Sequence, residues 1–416
     1  MKISLCLCLL VLAAIFFFPR SPELVTIPPA GAVAAPQRQF PNEPWQANLV
    51  EVGLSVQQRI NLACNGVNPA TAWMPLGITN NVPALHVPSN CIVACPSKRQ
   101  CRLNAAANLG TDFISIRSEA HAYLWGLVLD GNGTQQTTGS CVHVVSSNDV
   151  RVSSSEITNC RNHGVWFDGV SDLVAATSNF IHGTHAGSGI LAGNTPVRQG
   201  GANTQITNFH FNNNQIRDIH GMADGIFTLG NRGSGYGTGK GEILSNTIGP
   251  NIADTAIEVG VASHDVTVKG NSINMAGGSK GGVGISIRSA SAVAATYNKI
   301  KGDPTIPLLV CLLAWNNAGK DPTTAQYITV DHNTAWGCSH LNTGPGTQAF
   351  DVQINLARSG LSGTPNHMRF TNTLTDGGPK HYDYLGFPQK FYRCVNDDGG
   401  FCSATTVSVP LPLLPR

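Results

Sequence analysis

The chain has 416 residues, with 26 Lys and Arg against 24 Asp and Glu, a formal charge of +2 and only 12% charged residues. This balance lacks the concentrated positive charge of a nucleic-acid-binding protein and argues against a nucleic-acid partner. The 45 glycines and the low charge favour a rigid scaffold with many tight turns.

The amino terminus has the pattern of a secretion signal. Lys2 supplies the positive start, residues 3–18 are apolar apart from one serine, and Ala32–Ala34 is a small-residue cleavage site. The apolar run is slightly short for a membrane span. We therefore predict a signal peptide at 1–34, a secreted protein in an extracellular or periplasmic location, and no membrane association after cleavage. An uncleaved anchor is the alternative.

The segment at 35–79 contains one helical pattern. Residues 55–64 space their apolar side chains as a short helix does, and residues 85–89 then read as a strand followed by a turn. This arrangement predicts a helix just before the first strands.

A three-residue phrase recurs eight times between residues 155 and 374: a polar residue, any residue, and an aliphatic residue. Successive phrases begin 24, 35, 32, 25, 27, 35 and 39 residues apart, which is typical of a solenoid whose repeats differ in loop length. Asparagine suits a stacked turn, because it tolerates a left-handed backbone and its amide can bond the same amide one repeat away. The phrases begin at Ser155, Asn179, Asn214, Asn246, Asn271, Asn298, Asn333 and Asn372.

Short alternating strands flank many of these phrases. The strands before them include 150–152, 209–211, 266–268 and 328–330, and those after them include 164–167, 189–191, 225–227, 256–259 and 284–287. Three strands per repeat predict an all-β fold, a right-handed parallel β-helix. The chain resembles the pectate-lyase-like superfamily over about residues 80–380. That resemblance implies a helix that caps the open end of the solenoid, where strand edges and core would otherwise be exposed.

The predicted organisation is thus a signal peptide, a segment with a capping helix at 35–79, a β-helix domain at 80–380 and a tail at 381–416. Ten cysteines remain after signal cleavage, an even number that suits disulfides in an oxidising compartment. We expect Cys311 and Cys338 to join neighbouring repeats and Cys394 and Cys402 to close a tail loop. Four further cysteines lie near the cap, where disulfides are favoured over a zinc site, and two lie on the first regular repeats: Cys64, Cys91, Cys95, Cys101, Cys141 and Cys160.

Superposing the repeats at their Gly-Ile positions predicts an outward ladder of side chains on one sheet. If Val165, Ile190, Ile226, Ile257 and Ile285 point inwards, then the following residues point outwards. The predicted outward residues are Trp166, Leu191, Phe227, Glu258 and Ser286.

This register gathers carboxylates on neighbouring repeats. Asp224, Asp254 and Glu258 are the candidate catalytic residues, because carboxylates about 5 to 9 Å apart serve glycosidases. The structural alternative is that an aspartate before glycine closes a turn by bonding backbone amides. Family polygalacturonases carry clustered aspartates, a Gly-His-Gly and an Arg-x-Lys on this surface. This chain lacks the latter two motifs and the Asp-Pro-His-Asp of alginate epimerases, so no specific family is assigned.

Six residues are candidates for substrate binding. His185, His220, Arg232 and Arg288 are placed to orient a sugar, although histidines in such loops often bond backbone carbonyls instead. Trp166 and Phe227 favour stacking on a pyranose, with packing beneath a neighbouring loop as the alternative.

We therefore predict a secreted enzyme that hydrolyses a polysaccharide in a groove on the β-helix, without a cofactor or resident metal. The first alternative is a lyase or uronate epimerase with bound Ca²⁺ and Arg288, Lys280 or His185 as the base. The second is a non-enzymatic protein that adheres to glycans or to other proteins. The sequence does not indicate an oligomeric state.

Overall fold

The computed structural model describes residues 53–66, 68–193, 204–221, 223–230, 237–278, 282–306, 309–315, 326–338, 352–355, 369–371, 374–375 and 380–383. Several predicted features lie outside these residues: the signal peptide at 1–34, Arg232, Lys280, Cys394 and Cys402.

Helix α1, Val56–Ala63, precedes the first strand and begins with a capping box. The Ser55 hydroxyl accepts a hydrogen bond from the Gln58 amide, and the Gln58 side chain accepts one from the Ser55 amide. Val56 and Ile60 are buried against the core. On the same helix, the Gln57 side chain bonds both the N–H and the C=O of His86 at 2.8 and 2.9 Å. The predicted capping helix is therefore present, and it satisfies backbone groups of the first rung.

The strands form three parallel sheets, and one strand from each makes a rung. Sheet A contains β1 (Ala70–Trp73), β4 (Cys91–Ala94), β7 (Ala120–Trp125), β10 (Asn148–Ser153), β13 (Val170–Thr177), β16 (Gln205–Thr207), β17 (His210–Asn212), β20 (Gly239–Leu244), β23 (His264–Lys269), β26 (Ser291–Thr296), β29 (Gln326–Asp331) and β32 (Arg369–Thr371).

Sheet B contains β2 (Gly77–Val82), β5 (Cys101–Ala105), β8 (Leu127–Asp130), β11 (Glu156–Thr158), β14 (Phe180–Thr184), β18 (Gln215–Ile219), β21 (Thr247–Ile248), β24 (Ser272–Asn274), β27 (Lys299–Lys301), β30 (Thr334–Trp336) and β33 (Leu374–Thr375).

Sheet C contains β3 (Leu85–His86), β6 (Ile114–Arg117), β9 (Val142–Val145), β12 (Val165–Asp168), β15 (Ile190–Ala192), β19 (Ile226–Thr228), β22 (Thr255–Val259), β25 (Val283–Arg288), β28 (Val310–Trp315), β31 (Val352–Asn355) and β34 (Lys380–Asp383).

The core is a stack of aliphatic side chains in register. On sheet C, five inward residues pair from rung to rung and have no exposed surface: Val165, Ile190, Ile226, Ile257 and Ile285. Each rung thereby covers the apolar surface of the one before it, which makes burial the main stabilising term. The predicted right-handed parallel β-helix and its inward register are confirmed.

A ladder of buried side chains runs along the turn between sheets A and B. Asn179, Asn214, Asn246, Asn271 and Asn298 each donate a backbone N–H to the amide oxygen of the next ladder residue at 2.9 to 3.0 Å. The predicted amide ladder is confirmed. The left-handed backbone, however, belongs to the preceding residue, as at Ser178 (φ 57°) and Tyr297 (φ 57°). The asparagine side chain therefore makes the hydrogen bonds between rungs, and the residue before it has the left-handed backbone that turns the chain.

Four disulfides join described cysteines: Cys64–Cys91, Cys95–Cys101, Cys141–Cys160 and Cys311–Cys338. The prediction for Cys311 and Cys338 is confirmed, and the cap cysteines form disulfides rather than a zinc site. Of the helices in the described part of the chain, none combines the length and apolarity needed to span a bilayer.

Candidate functional site

The outer face of sheet C aligns one side chain from each rung. The backbone register places these residues in one line: Ser115, His143, Trp166, Leu191, Phe227, Glu258 and Ser286. The five rungs that the sequence superposed are thus aligned as predicted.

Asp224 and Asp254 lie on neighbouring rungs at the amino-terminal end of sheet C. Asp254 donates its backbone N–H to Ala223, at 3.1 Å, and the Asp224 Oδ1 accepts a hydrogen bond from the Thr255 amide at 3.0 Å. Asp224 is 2% exposed, whereas Asp254 is only partly buried. The structure therefore brings this predicted pair together. Asp224 also bonds a backbone amide, which is what we expect if this aspartate instead stabilises a turn.

His185 and His220 occupy the same turn between sheets B and C. They directly follow Thr184 and Ile219, which pair on adjacent rungs, and the His220 amide bonds Thr184 O at 3.1 Å. His220 is exposed, and the His185 Nε2 lies 2.8 Å from Asn159 Oδ1. Burial lowers the pKa of His185, and the nearby Arg161 and His220 lower it further. At neutral pH the His185 imidazole is therefore uncharged and able to accept a proton.

Glu258 lies near the other end of its strand, four residues beyond Asp254. At about 3.3 Å per residue, this places their Cα atoms about 13 Å apart, farther than the predicted carboxylate spacing. Glu258 Oε1 instead lies 3.7 Å from Arg288 Nη1, and the two side chains are 13% and 12% exposed. The structure thus separates a Glu258–Arg288 ion pair from the Asp224–Asp254 pair.

The two aromatic candidates are not open platforms. Phe227 is 5% exposed and packs with Leu191, Leu229, Val261 and Ala262 in a small apolar cluster outside the main core. Phe227 lies on the outer face as predicted. Of the two alternatives for it, packing beneath neighbouring segments is the one observed, because the segments after β19 and β22 cover this face.

Trp166 packs against the same apolar cluster. One face of its indole stacks on His143, and its Nε1 donates to Gly193 O at 2.7 Å. That face is not free to receive a sugar ring.

A second polar cluster, which the sequence did not reveal, lies on the first rungs of sheet C. The His143 Nδ1 is 2.7 Å from Asp112 Oδ2, and its Nε2 is 3.8 Å from Asp168 Oδ2. Arg117 reaches the same Asp112 oxygen at 3.1 Å. We call Asp112, Arg117, His143 and Asp168 the His143 cluster.

The electrostatics of the His143 cluster favour the imidazolium. Burial of His143 opposes its charge, but the hydrogen bond to Asp112 and the nearby Asp168 carboxylate outweigh that effect and raise the pKa of His143. Burial likewise opposes ionisation of Asp112, yet bonds from His143 and the Ser140 amide lower the pKa of its carboxyl. Nearby, desolvation lowers the pKa of His163 to about 4, so this imidazole is neutral.

One signal would have found this cluster from the sequence. Residues Val142, His143 and Val144 alternate as Val165, Trp166 and Phe167 do, so extending the register by one rung aligns His143 with Trp166. No sequence pattern of this kind indicates that Asp112 and Arg117 contact His143, because those contacts depend on how the strand ends pack.

Among the residues that the structure describes, no group of three or more His, Cys, Asp or Glu side chains is arranged to hold a metal ion.

The three parallel sheets and the stacked outer face define a parallel β-helix. No family model and no curated protein matches the sequence. Solved structures with the same fold do match. They include the surface adhesin PfbA of Streptococcus pneumoniae, with a TM-score of 0.56, 12% identity and coverage of 82% of this chain and 88% of that chain.

Two others are enzymes. The polygalacturonase of Erwinia carotovora ssp. carotovora has a TM-score of 0.52 and 13% identity, covering 78% of this chain and 91% of that chain. The A-module of the mannuronan C-5 epimerase AlgE4 of Azotobacter vinelandii has a TM-score of 0.51 and 11% identity, and the match covers 77% of this chain and 90% of that chain. At these identities the likeness establishes the fold, which is compatible with both enzymes and adhesins.

Proposed function

We propose that this protein is a secreted carbohydrate-active enzyme that hydrolyses glycosidic bonds of a polysaccharide bound at sheet C. The observation that carries the proposal is the placement of Asp224 and Asp254 one rung apart, at the end of the strands where His185 and His220 also lie. The four disulfides fit an oxidising extracellular or periplasmic location.

The backbone positions of the two aspartates are compatible with this chemistry, and their side chains differ in exposure. A rung step of about 4.8 Å and an offset of one residue put their Cα atoms about 6 Å apart, which permits the carboxyl separations of glycosidases. Asp254, the more exposed of the two, is the proposed proton donor to the leaving oxygen. Asp224 is the proposed carboxylate that activates water or stabilises the sugar cation. His220 is proposed to orient the substrate, and Arg288 is proposed to bind it farther along the strand.

The test is turnover on a panel of neutral and uronic-acid polysaccharides, measured as new reducing ends. We expect Asp254→Asn and Asp224→Asn each to lower kcat by about 10²- to 10⁴-fold, as expected for loss of a general acid or base. The matched control is Asp265→Asn, because this carboxylate is 56% exposed on β23 of sheet A. Full turnover by Asp254→Asn would exclude the proposed mechanism.

The His185 geometry favours a second candidate, a uronate lyase or epimerase. A neutral imidazole beside Arg161 is suited to remove the proton next to a carboxylate that the guanidinium neutralises. This alternative includes Ca²⁺ as a dissociable cofactor, and repeating the assay with a chelator tests that requirement. A lyase gives ultraviolet absorbance from an unsaturated uronide that is lost in His185→Ala, whereas a hydrolase gives reducing ends without that absorbance.

The adhesin-like alternative predicts a different pair of results. A non-enzymatic glycan-binding protein would show no turnover on any polysaccharide of the panel, and Asp224→Asn with Asp254→Asn would leave glycan binding unchanged.

A further inference from the structure

A groove of about 440 Å³ follows the turns that lead from sheet C into sheet A on the first five rungs. It is lined by residues after β3, β6, β9 and β12 and by strand β16. Four rung steps of about 4.8 Å make it about 19 Å long, which suits an extended oligomer better than a single small molecule. It is separate from the Asp224–Asp254 pair, which lies at the opposite, amino-terminal end of the sheet C strands.

The groove offers neutral hydrogen-bonding groups at regular intervals. Ser118 and Ser146 are exposed, and both have a left-handed backbone, at φ 58° and 48°. They occupy equivalent positions on neighbouring rungs, since the N–H of each donates to the carbonyl of the last residue of the next strand of sheet C. Asn148 is exposed and Gln205 partly exposed on the floor of the same groove. Val170, 58% exposed, adds an apolar contact. Hydroxyl and amide groups repeated at the rung spacing match a ligand that is itself a repeating chain of hydroxyls.

The charge of the lining selects against acidic ligands. Glu119 and Asp172 are the charged residues among those described that line the groove, and no lysine, arginine or histidine is among them. Glu119 accepts a 2.7 Å bond from the Ser89 amide, and Asp172 accepts a 2.6 Å bond from the Thr207 hydroxyl. Glu119 Oε1 also lies 3.1 Å from the Nε2 of His86, a residue outside the lining. With two carboxylates and no cationic side chain in the lining itself, the groove disfavours uronates, sulfates and phosphates.

We propose that this groove is a second glycan-binding site, specific for an extended, uncharged polysaccharide. This proposal does not depend on the proposed hydrolase activity. The groove would hold the protein on a neutral glycan, and hydrolysis would take place at the Asp224–Asp254 pair.

The test is affinity electrophoresis of the full-length protein in gels containing hydroxyethylcellulose, galactomannan, xyloglucan or polygalacturonate. Retardation is expected in at least one neutral gel and not in polygalacturonate. The double variant Asn148→Ala/Gln205→Ala is expected to raise the apparent Kd about tenfold, since each lost hydrogen bond contributes modestly. Its matched control is Gln215→Ala/Ser272→Ala, two exposed polar residues on sheet B. Unchanged thermal unfolding of both double variants excludes misfolding.

Three results would overturn the proposal: no retardation in any neutral gel, equal retardation of the groove variant and the wild type, or retardation by polygalacturonate alone. The variant Asp254→Asn separates this site from the proposed catalytic one. It is expected to keep full retardation while losing turnover, so that either proposal can fail without the other.

Discussion

The indole of Trp166 lies flat on the imidazole of His143, with ring centroids 3.8 Å apart and planes 2° from parallel. The imidazole edge faces Asp112 at 2.7 Å, so the protonated form of the ring is stabilised by a carboxylate at its edge and by the indole on its face. This arrangement couples the stability of the first rungs to pH.

We expect His143→Asn to remove a fall in stability that the wild type shows as pH rises above about 6.5. The folded pKa of His143 is raised above 6.5, so its stabilising effect is fully present below about pH 6.5 and is lost as pH rises through the folded value. Urea unfolding from pH 5.5 to 9 measures this effect. At pH 6 the variant should be about 1 to 3 kcal/mol less stable, because a charged hydrogen bond is lost. A constant difference between the two proteins at all pH values would contradict this assignment.

His163 should produce the opposite dependence at acidic pH. Its folded pKa is lowered from 6.5 to about 4, so its neutral state contributes stability that is present above pH 6.5 and lost as pH falls towards 4. His163→Asn keeps an acceptor for the Ser188 amide, which now bonds the ring Nδ1 at 2.9 Å, but does not titrate. Between pH 6.5 and 4.5 the wild type should lose more stability than the variant, by no more than about 3 kcal/mol since the residue keeps some contact with water. Equal losses would show that folding does not lower the pKa of His163.

Asn246→Ala should destabilise the folded protein. Its buried side chain accepts a hydrogen bond from the Asn214 N–H at 2.9 Å and donates one to Phe211 O at 2.8 Å, and the substitution removes both bonds inside the structure. We expect the free energy of unfolding to fall by about 2 to 4 kcal/mol, measured by denaturant titration. Gln215→Ala, an exposed substitution on the adjacent strand, should change it by less than about 0.5 kcal/mol. Similar effects for the two variants would mean that the ladder is energetically unimportant.

The disulfides should differ in their effect according to loop length. Cys311–Cys338 spans 27 residues and Cys95–Cys101 spans 6, and all four cysteines are fully buried. Chain-entropy arguments assign about 3.5 kcal/mol to the longer loop and about 2 kcal/mol to the shorter one. Replacing each pair with alanine and comparing unfolding free energies tests this. A larger loss from the Cys95–Cys101 pair would show that native-state packing, not the unfolded chain, determines the effect.

The solenoid could be predicted because its determinants are local and repeated. An asparagine with an aliphatic residue two positions later marks each turn, and alternating strands mark the walls, so Ile226, Ile257 and Ile285 could be superposed without knowledge of any long-range contact. The same register placed Trp166 and Phe227 on the outer face.

The surface chemistry was less accessible, because it depends on contacts between segments. Nothing local to Phe227 indicates that Val261 and Ala262 pack over it. Likewise, Asp112 meets His143 only because two rungs stack, across 31 residues of sequence. The separation of Glu258 from Asp254 was predictable in principle, since four residues of extended strand already exceed the carboxylate spacing assumed for catalysis.

The amide ladder holds one turn of each rung in a fixed position, and it does not restrict the length of the chain between successive ladder residues. From Ser155 to Asn333, the intervals between consecutive ladder residues range from 24 to 35 residues, while the amide-to-oxygen distances stay between 2.9 and 3.1 Å. Extra sequence is therefore absorbed outside the coil without altering its pitch. A foreign peptide grafted into one of these connections would therefore be displayed without disturbing the stacked rungs, which makes the β-helix a scaffold for presenting epitopes at a chosen rung.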